Sequence, residues 1–250
     1  MFTKHTETDQ AATAMESQDS SRISRSRVTM VLALLTIVGI VDFLLSFTAL
    51  HFLRPDVNPV LEPMSNYAVG SYGFLFIAAD IGLSLAALAL AFGLYLGIAP
   101  RGRSYAGLLL LALYGVSVML AGIFPIDVGG EATTFGTIHN IVGNISFFGF
   151  PIAVILLSLG MGKDERWRSF RRPALALSMV VALTVILTIV GSNLDIGYGV
   201  TQRIANVAAL VWMLAVALRL RSLAQGALIV QPSRVRSTSE NVFRRAAGNG

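Results

Sequence analysis

The sequence predicts an all-α membrane protein, a bundle of six transmembrane helices with the N- and C-termini cytoplasmic. Three observations carry this. Of 250 residues, 54% are hydrophobic and only 13% are charged, where a soluble domain carries about 25% charged residues. Several predominantly apolar runs exceed about 18 residues, the length that reads as a membrane-spanning helix. The basic residues alternate from loop to loop, as a multi-pass topology requires.

Taken in order, residues 1–27 are polar and hold Glu7, Asp9, Glu16 and Asp19. Such a segment buries too little apolar surface to fold alone, so a disordered N-terminal tail is expected. Its acids argue against a mitochondrial transit peptide. Arg22, Arg25 and Arg27 precede the first apolar run, Val28–Leu53. That run is far longer than the apolar region of about 7–15 residues in a cleaved signal peptide, so it reads as a retained helix. Arg54–Tyr72 is a loop, because Pro55, Pro59 and Pro63 interrupt any helix there. A second helix spans Gly73–Ile98, a short basic turn follows at 100–103, and a third helix spans Tyr105–Phe124. A polar segment with Asp127 and Glu131 leads to a fourth helix over Thr137–Leu159, in which Pro151 predicts a kink. A charged loop, 163–172, precedes the fifth helix, Ala174–Val190. Gly191–Gln202 reads as a loop and Ile204–Leu220 as the sixth helix. The transmembrane domain is thus 28–221, followed by a disordered, basic tail, 222–250.

The tails and the second and fourth loops hold 17 of the 19 Lys and Arg, leaving only Arg54 and Arg203 for the other three loops. Excess Lys and Arg mark the cytoplasmic side, so both ends lie inside and the protein is expected in the cell inner membrane. The same placement accounts for a pI near 10.0. The basic tails meet anionic head groups, each residue near the surface contributing about 1 kcal/mol. No nucleic-acid recognition motif accompanies the charge, so membrane lipids are the expected partners and nucleic acid is not. There is no cysteine, which removes disulfides, thiolate ligands and a thiol nucleophile.

Mapped onto this topology, the unusual polar residues gather at the outer side. They include His51, Arg54, Asp56, Asn58, Glu62, Asp127, Glu131, His139, Asn140, Asp195, Gln202 and Arg203. Asp80 lies about 10 Å and Asp42 about 16 Å below the outer ends of their helices, at 1.5 Å per residue. In the fourth helix, Gly136, His139, Asn140, Gly143, Asn144 and Phe147 fall at i, i+3, i+4 steps and share one face. Gly73, Ile77, Asp80 and Ser84 do the same in the second helix, while the inner helix halves carry almost nothing polar. An outward-facing polar pocket follows, because an unpaired polar group in hydrocarbon costs several kcal/mol.

An intramembrane carboxyl is a functional hypothesis by default. Asp42 and Asp80 read either as a proton or cation site, or as hydrogen-bonded groups that hold helices together. His139 reads as a general acid–base, since a histidine titrates near neutrality, with Asp127 or Asp80 to orient it. Otherwise it is an interfacial histidine satisfied by water or backbone, and Asp127 merely closes a turn. Asn140, Asn144, Glu62 and Arg203 complete the candidate binding groups, with Arg203 free to clamp an anion or to pair with Asp195. No metal is expected: a zinc site wants about three or four His, Cys or carboxylate ligands, and no HxxxH or HExxH spacing occurs. A retinal Schiff base has no buried lysine to use, since only Lys4 and Lys163 exist. There is no phosphate-binding loop, and Gly143-Asn144-Ile145-Ser146 is not a serine-hydrolase elbow. No cofactor is expected.

Leu61-Glu62-Pro63-Met64-Ser65-Asn66-Tyr67 with Gly70, Gly122-Ile123-Phe124-Pro125-Ile126-Asp127, and His139 followed by Gly143 resemble the bacterial and archaeal membrane family catalogued as domain of unknown function 998. The resemblance covers about residues 28–220 and implies a six-helix integral membrane protein with no established activity. The superfamily of ceramidase-like and adiponectin-receptor-like hydrolases has seven helices and three histidines, a set this chain lacks, so zinc hydrolysis is not carried over. Three activities stay open. The protein binds or moves a small solute or lipid head group, or it performs acid–base chemistry on lipid, or it is an accessory membrane protein whose polar stripes only pack helices.

Overall fold

A computed structural model describes the backbone of residues 3–194 and 197–247, and the side chains of 17–194 and 197–229. The chain folds as seven α-helices: α1 (Thr3–Leu53), α2 (Gly73–Gly97), α3 (Tyr105–Ile123), α4 (Thr134–Met161), α5 (Glu165–Arg168), α6 (Arg171–Asn193) and α7 (Tyr198–Ala247). All but the one-turn α5 are long and apolar enough to cross a membrane, six spans among the described residues. No strand occurs among the described residues. The all-α, six-span architecture is therefore as the sequence predicts.

The elements differ from expectation mainly at their ends. Most of the loop expected over Gly191–Gln202 is helix. Polar side chains there bond within their own helices, Asn193 Nδ2 donating to the Ile189 carbonyl at 2.7 Å and the Thr201 hydroxyl to the Tyr198 carbonyl at 3.0 Å. Bonds of this kind let a helix continue past its apolar run. Similarly, α4 starts at Thr134 because Thr133 caps it, its hydroxyl accepting from the Gly136 N–H at 3.1 Å. Asp195 lies outside the described residues. So do the side chains of 1–16 and 230–250, the larger part of the two expected tails.

Each spanning helix packs on its sequence neighbour, and α7 returns to α1, so the six spans close into a ring in chain order. Short connections between such neighbours give an up–down bundle. Small residues allow the close approaches, as is usual where lipid supplies no hydrophobic drive between helices. A Cβ on Gly39 would collide with the Gly82 carbonyl across α1–α2, and one on Gly107 would press to 2.9 Å from Leu157 across α3–α4. Leu90, Leu94, Leu157, Trp212 and Met213 fill the ring at the end that bears the second and fourth connections. The outer surface is apolar: Leu109 is 69% and Leu45 67% exposed, which suits a lipid solvent.

That filled end is tied by Asp164, the N-cap of α5. Its buried carboxylate accepts from the Ala99 N–H at 2.8 Å, the Arg166 N–H at 3.0 Å and the Arg166 guanidinium at 2.8 Å, joining the second connection to the fourth. Burial alone would raise its pKa, but these three donors hold it below the ordinary value of 3.8. Asp164→Ala should therefore destabilise the bundle by about 2 kcal/mol, measured by unfolding in detergent at neutral pH. Because the folded-state value is the lower one, this contribution is present above pH 3.8 and is lost as pH falls through the folded value. The variant and the wild type should therefore converge in strong acid.

Candidate functional site

At the opposite end the ring does not fill. A cavity of about 440 Å³ lies among all six spans and beneath the first connection. Its floor is aromatic. Tyr114 and Phe150 stand 4.5 Å apart by ring centroids, and Trp212 meets Phe150 edge-on at 6.2 Å. Below them the Trp212 indole donates to the Ser158 hydroxyl at 3.3 Å, and Ser158 pairs with Ser178 at 2.9 Å. These serines are the polar groups that the reading of the inner halves as almost wholly apolar left aside. They satisfy one another, so the lower half of the bundle is sealed.

The walls bring together four of the residues singled out from sequence: Asp80 of α2, and His139, Asn140 and Asn144 of α4. Asp80 is 7% exposed. It makes no hydrogen bond among the described residues, and it is seated against Gly122, where a Cβ would stand 2.9 Å from its own. His139 is also buried. Its Nδ1 lies 2.8 Å from the Phe124 carbonyl and 3.0 Å from that of Ala121, the orphan acceptors at the end of α3. Two carbonyls can only accept, so Nδ1 carries the proton and Nε2 of the neutral ring is left as an acceptor. Asp80 and His139 thus line one cavity without bonding each other.

The other candidates lie elsewhere. Asp42 is half-buried against α2 in the notch left by Gly82, whose Cβ would collide with its carboxyl, and it does not line the cavity. Asp127 does not bond His139. Its two oxygens accept from the Thr133 N–H at 2.8 Å and the Thr133 hydroxyl at 2.7 Å, which fixes the start of α4. Those bonds, the backbone one first, hold the Asp127 carboxyl below the usual range. Glu62 braces the first connection, accepting from the Asn58 N–H at 2.5 Å and Asn66 Nδ2 at 3.2 Å. Arg203 ties that connection to α7. Its Nη1 donates to the Glu62 and Gly199 carbonyls at 3.0 Å, and its Nε to His51 Nε2 at 3.1 Å.

The first connection forms a lid through a 3-10 turn, Met64–Ala68. Pro63, Met64 and Ser65 roof the cavity. Arg54, itself buried, holds the lid from below. Its Nη1 donates to the carbonyls of Val69 at 2.7 Å and Ser71 at 3.0 Å, and its other nitrogens pair with Asp56. That pairing raises Arg54 above its ordinary value and lowers Asp56 below its own. The Met64 N–H donates to Gln202 Oε1 at 2.8 Å, so α7 also grips the roof.

Gln202, Ala205, Asn206 and Ala209 of α7, and Thr188 and Ser192 of α6, also line the cavity. The α7 set follows the i, i+3, i+4, i+7 spacing already used for α4, so the signal was present in the sequence. Gln202 stands among the outer polar residues of the sequence but at the end of the stretch read as a loop, which separates it from Ala205, Asn206 and Ala209 of the sixth helix. Among the described lining residues there is no Lys or Arg, and Asp80 is the only carboxyl. No group of three or more metal-ligating side chains occurs among the described residues.

A family model described as Protein of unknown function (DUF998) matches residues 37–219. No curated protein and no solved structure matches the chain. Since Gly136 carries no side chain where the Asp127 carboxylate sits, Gly136→Ala and Asp127→Ala should disrupt the same cap. Each should lower the melting temperature in detergent, and the double variant should melt no lower than the worse single one, a non-additivity that marks a shared contact.

Proposed function

The chain belongs to the DUF998 family, whose description assigns no activity, and from the site itself we propose that it is a membrane-embedded binding protein for a small molecule. Excess Lys and Arg mark the cytoplasmic side, so on this reading the cavity opens to the extracytoplasmic side and the protein resides in the cell inner membrane. Its size lies in the range of about 300–1,000 Å³ typical of small-molecule sites. Aromatic and aliphatic walls would take an apolar body, and a few polar groups would fix its orientation. The observation that carries the reading is Asp80, a carboxyl buried in a spanning helix with no hydrogen-bond partner among the described residues. Such a group is expensive to keep. A donor group on a ligand would meet it, while His139 Nε2, Asn140 and Asn144 offer further hydrogen bonds.

The lower seal favours holding over moving. Tyr114, Phe150 and Trp212 close the route to the other face, so a solute that enters would leave the way it came. The geometry favours binding over acid–base catalysis for a similar reason. His139 is oriented by two carbonyls rather than by a carboxylate, and it faces no group that would draw a proton from it within hydrogen-bond reach.

Two outcomes test this. Native mass spectrometry of protein released from nanodiscs should show a retained small molecule on the wild type that Asp80→Asn loses. Equal retention by both would sink the role of Asp80. In ligand-free detergent, Asp80→Asn should melt at or above the wild-type temperature, because it breaks no hydrogen bond among the described residues and removes a buried carboxyl that has no partner. A fall of many degrees would instead mark Asp80 as a structural strut.

A further inference from the structure

We propose that the ligand is a membrane amphiphile whose chain enters from the bilayer between α4 and α6, and whose head group offers an amine or hydroxyl and carries no phosphate. This rests on the reading of the cavity as a binding site and names what it takes.

The side opening is visible in how α4 and α6 meet. At the sealed end they are stitched: the Ser158 and Ser178 hydroxyls pair at 2.9 Å, and Ser178 lies 3.1 Å from the Val154 carbonyl. Toward the cavity no hydrogen bond joins the two helices among the described residues. There Asn140 and Asn144 of α4 and Ile189, Ser192 and Asn193 of α6 line the cavity and are exposed at once. Ile141, Ile145 and Val190 beside them are exposed without lining the cavity, so this stretch stands at the outer surface of the bundle as well as on the cavity. Gly143 sits between the two asparagines, and a Cβ added to it would meet nothing within 4 Å.

Depth decides what lies outside this opening. Asn144 is ten residues into α4, about 15 Å along it, against a hydrocarbon layer about 30 Å thick. Phe148 and Ile145 beside it are exposed apolar side chains. The gap therefore faces acyl chains, and its occupant must be at home there. Yet Asn140 and Asn144 have no hydrogen-bond partner among the described residues, which is costly against lipid. A head group drawn into the cavity would satisfy them while its chain stays in the gap.

Charge selects the head group. With one carboxyl and no Lys or Arg among the described lining residues, the cavity lacks the cations that phosphate recognition uses. A phosphate would bring its charge into a cavity with no cation to answer it. An amine or hydroxyl would donate to Asp80.

The test uses the full-length protein in phosphatidylcholine nanodiscs. Its probes are hexadecylamine, hexadecanol and hexadecyl phosphate, each with a photoreactive diazirine on the chain, with butylamine as a soluble competitor. The amine and the alcohol should label α4 and α6 peptides, and hexadecyl phosphate should not. Gly143→Trp should cut the labelling about tenfold, equivalent to about 1.4 kcal/mol, while Gly143→Ala leaves it unchanged. Ile189→Trp, on the opposite edge, should give the same loss and serves if Gly143→Trp fails to assemble. Labelling by hexadecyl phosphate equal to that by the amine, or indifference to both tryptophans, overturns the proposal. Butylamine displacing the long-chain probes as well as unlabelled hexadecylamine does would leave the cavity as a binding site and refute entry from the bilayer. Failure of every probe to label or compete would refute both.

Discussion

A carboxyl held inside a membrane bundle without a hydrogen bond is the constraint around which this molecule is arranged. Asp80 projects from α2 into the cavity, and no hydrogen bond among the described residues answers it. A second helix would ordinarily supply a donor, since polar groups in hydrocarbon are satisfied by partners. Here α3 passes with Gly122 at that level, making room without offering a bond. His139 is close at hand on α4, but its donor nitrogen is already engaged by the end of α3. The groups around Asp80 thus leave a space and do not close it.

The rest of the fold keeps that space open on one side and shut on the other. Six spans closing into a ring in chain order leave a central volume that side chains must fill or bound. Toward the second and fourth connections they fill it, with large buried residues and the Trp212–Ser158–Ser178 network. Toward the first connection the filling stops at Tyr114 and Phe150, and a lid takes over. The lid is held by backbone carbonyls bonded to two arginines, Arg54 and Arg203, and by Gln202. Neither arginine lines the cavity, so the strongest positive charges at this end serve the roof.

Much of this was legible in the sequence, and the parts that were not have identifiable reasons. Six spans follow from apolar runs, because lipid leaves a helix little choice. The α4 stripe of His139, Asn140 and Asn144 follows from helical spacing, and all three line one cavity. Asp42 and Asp80 look alike as sequence features, yet one sits in a glycine notch between α1 and α2 and the other lines the cavity. The difference depends on where neighbouring helices place their glycines, Gly82 and Gly122, which spacing along one helix does not reveal. Asp127 was readable either as a partner for His139 or as a turn residue. The choice was made by Thr133, six residues on, whose hydroxyl and N–H both point at its carboxylate. The spacing that joins Gln202 to Asn206 on α7 is hidden because polar residues at its start mimic a loop, although Thr201 bonds within the helix and Gln202 and Arg203 bond the lid.

The central claim is that the cavity beside Asp80 is a built binding site. Its most direct test is a structure of the protein determined in its native lipid, without detergent exchange. Density for a bound molecule within hydrogen-bond distance of the Asp80 carboxyl and His139 Nε2 is the predicted result. A bundle in which the helices have drawn together and Asp80 is bonded to a side chain of the protein, with no volume left for a ligand, would contradict it.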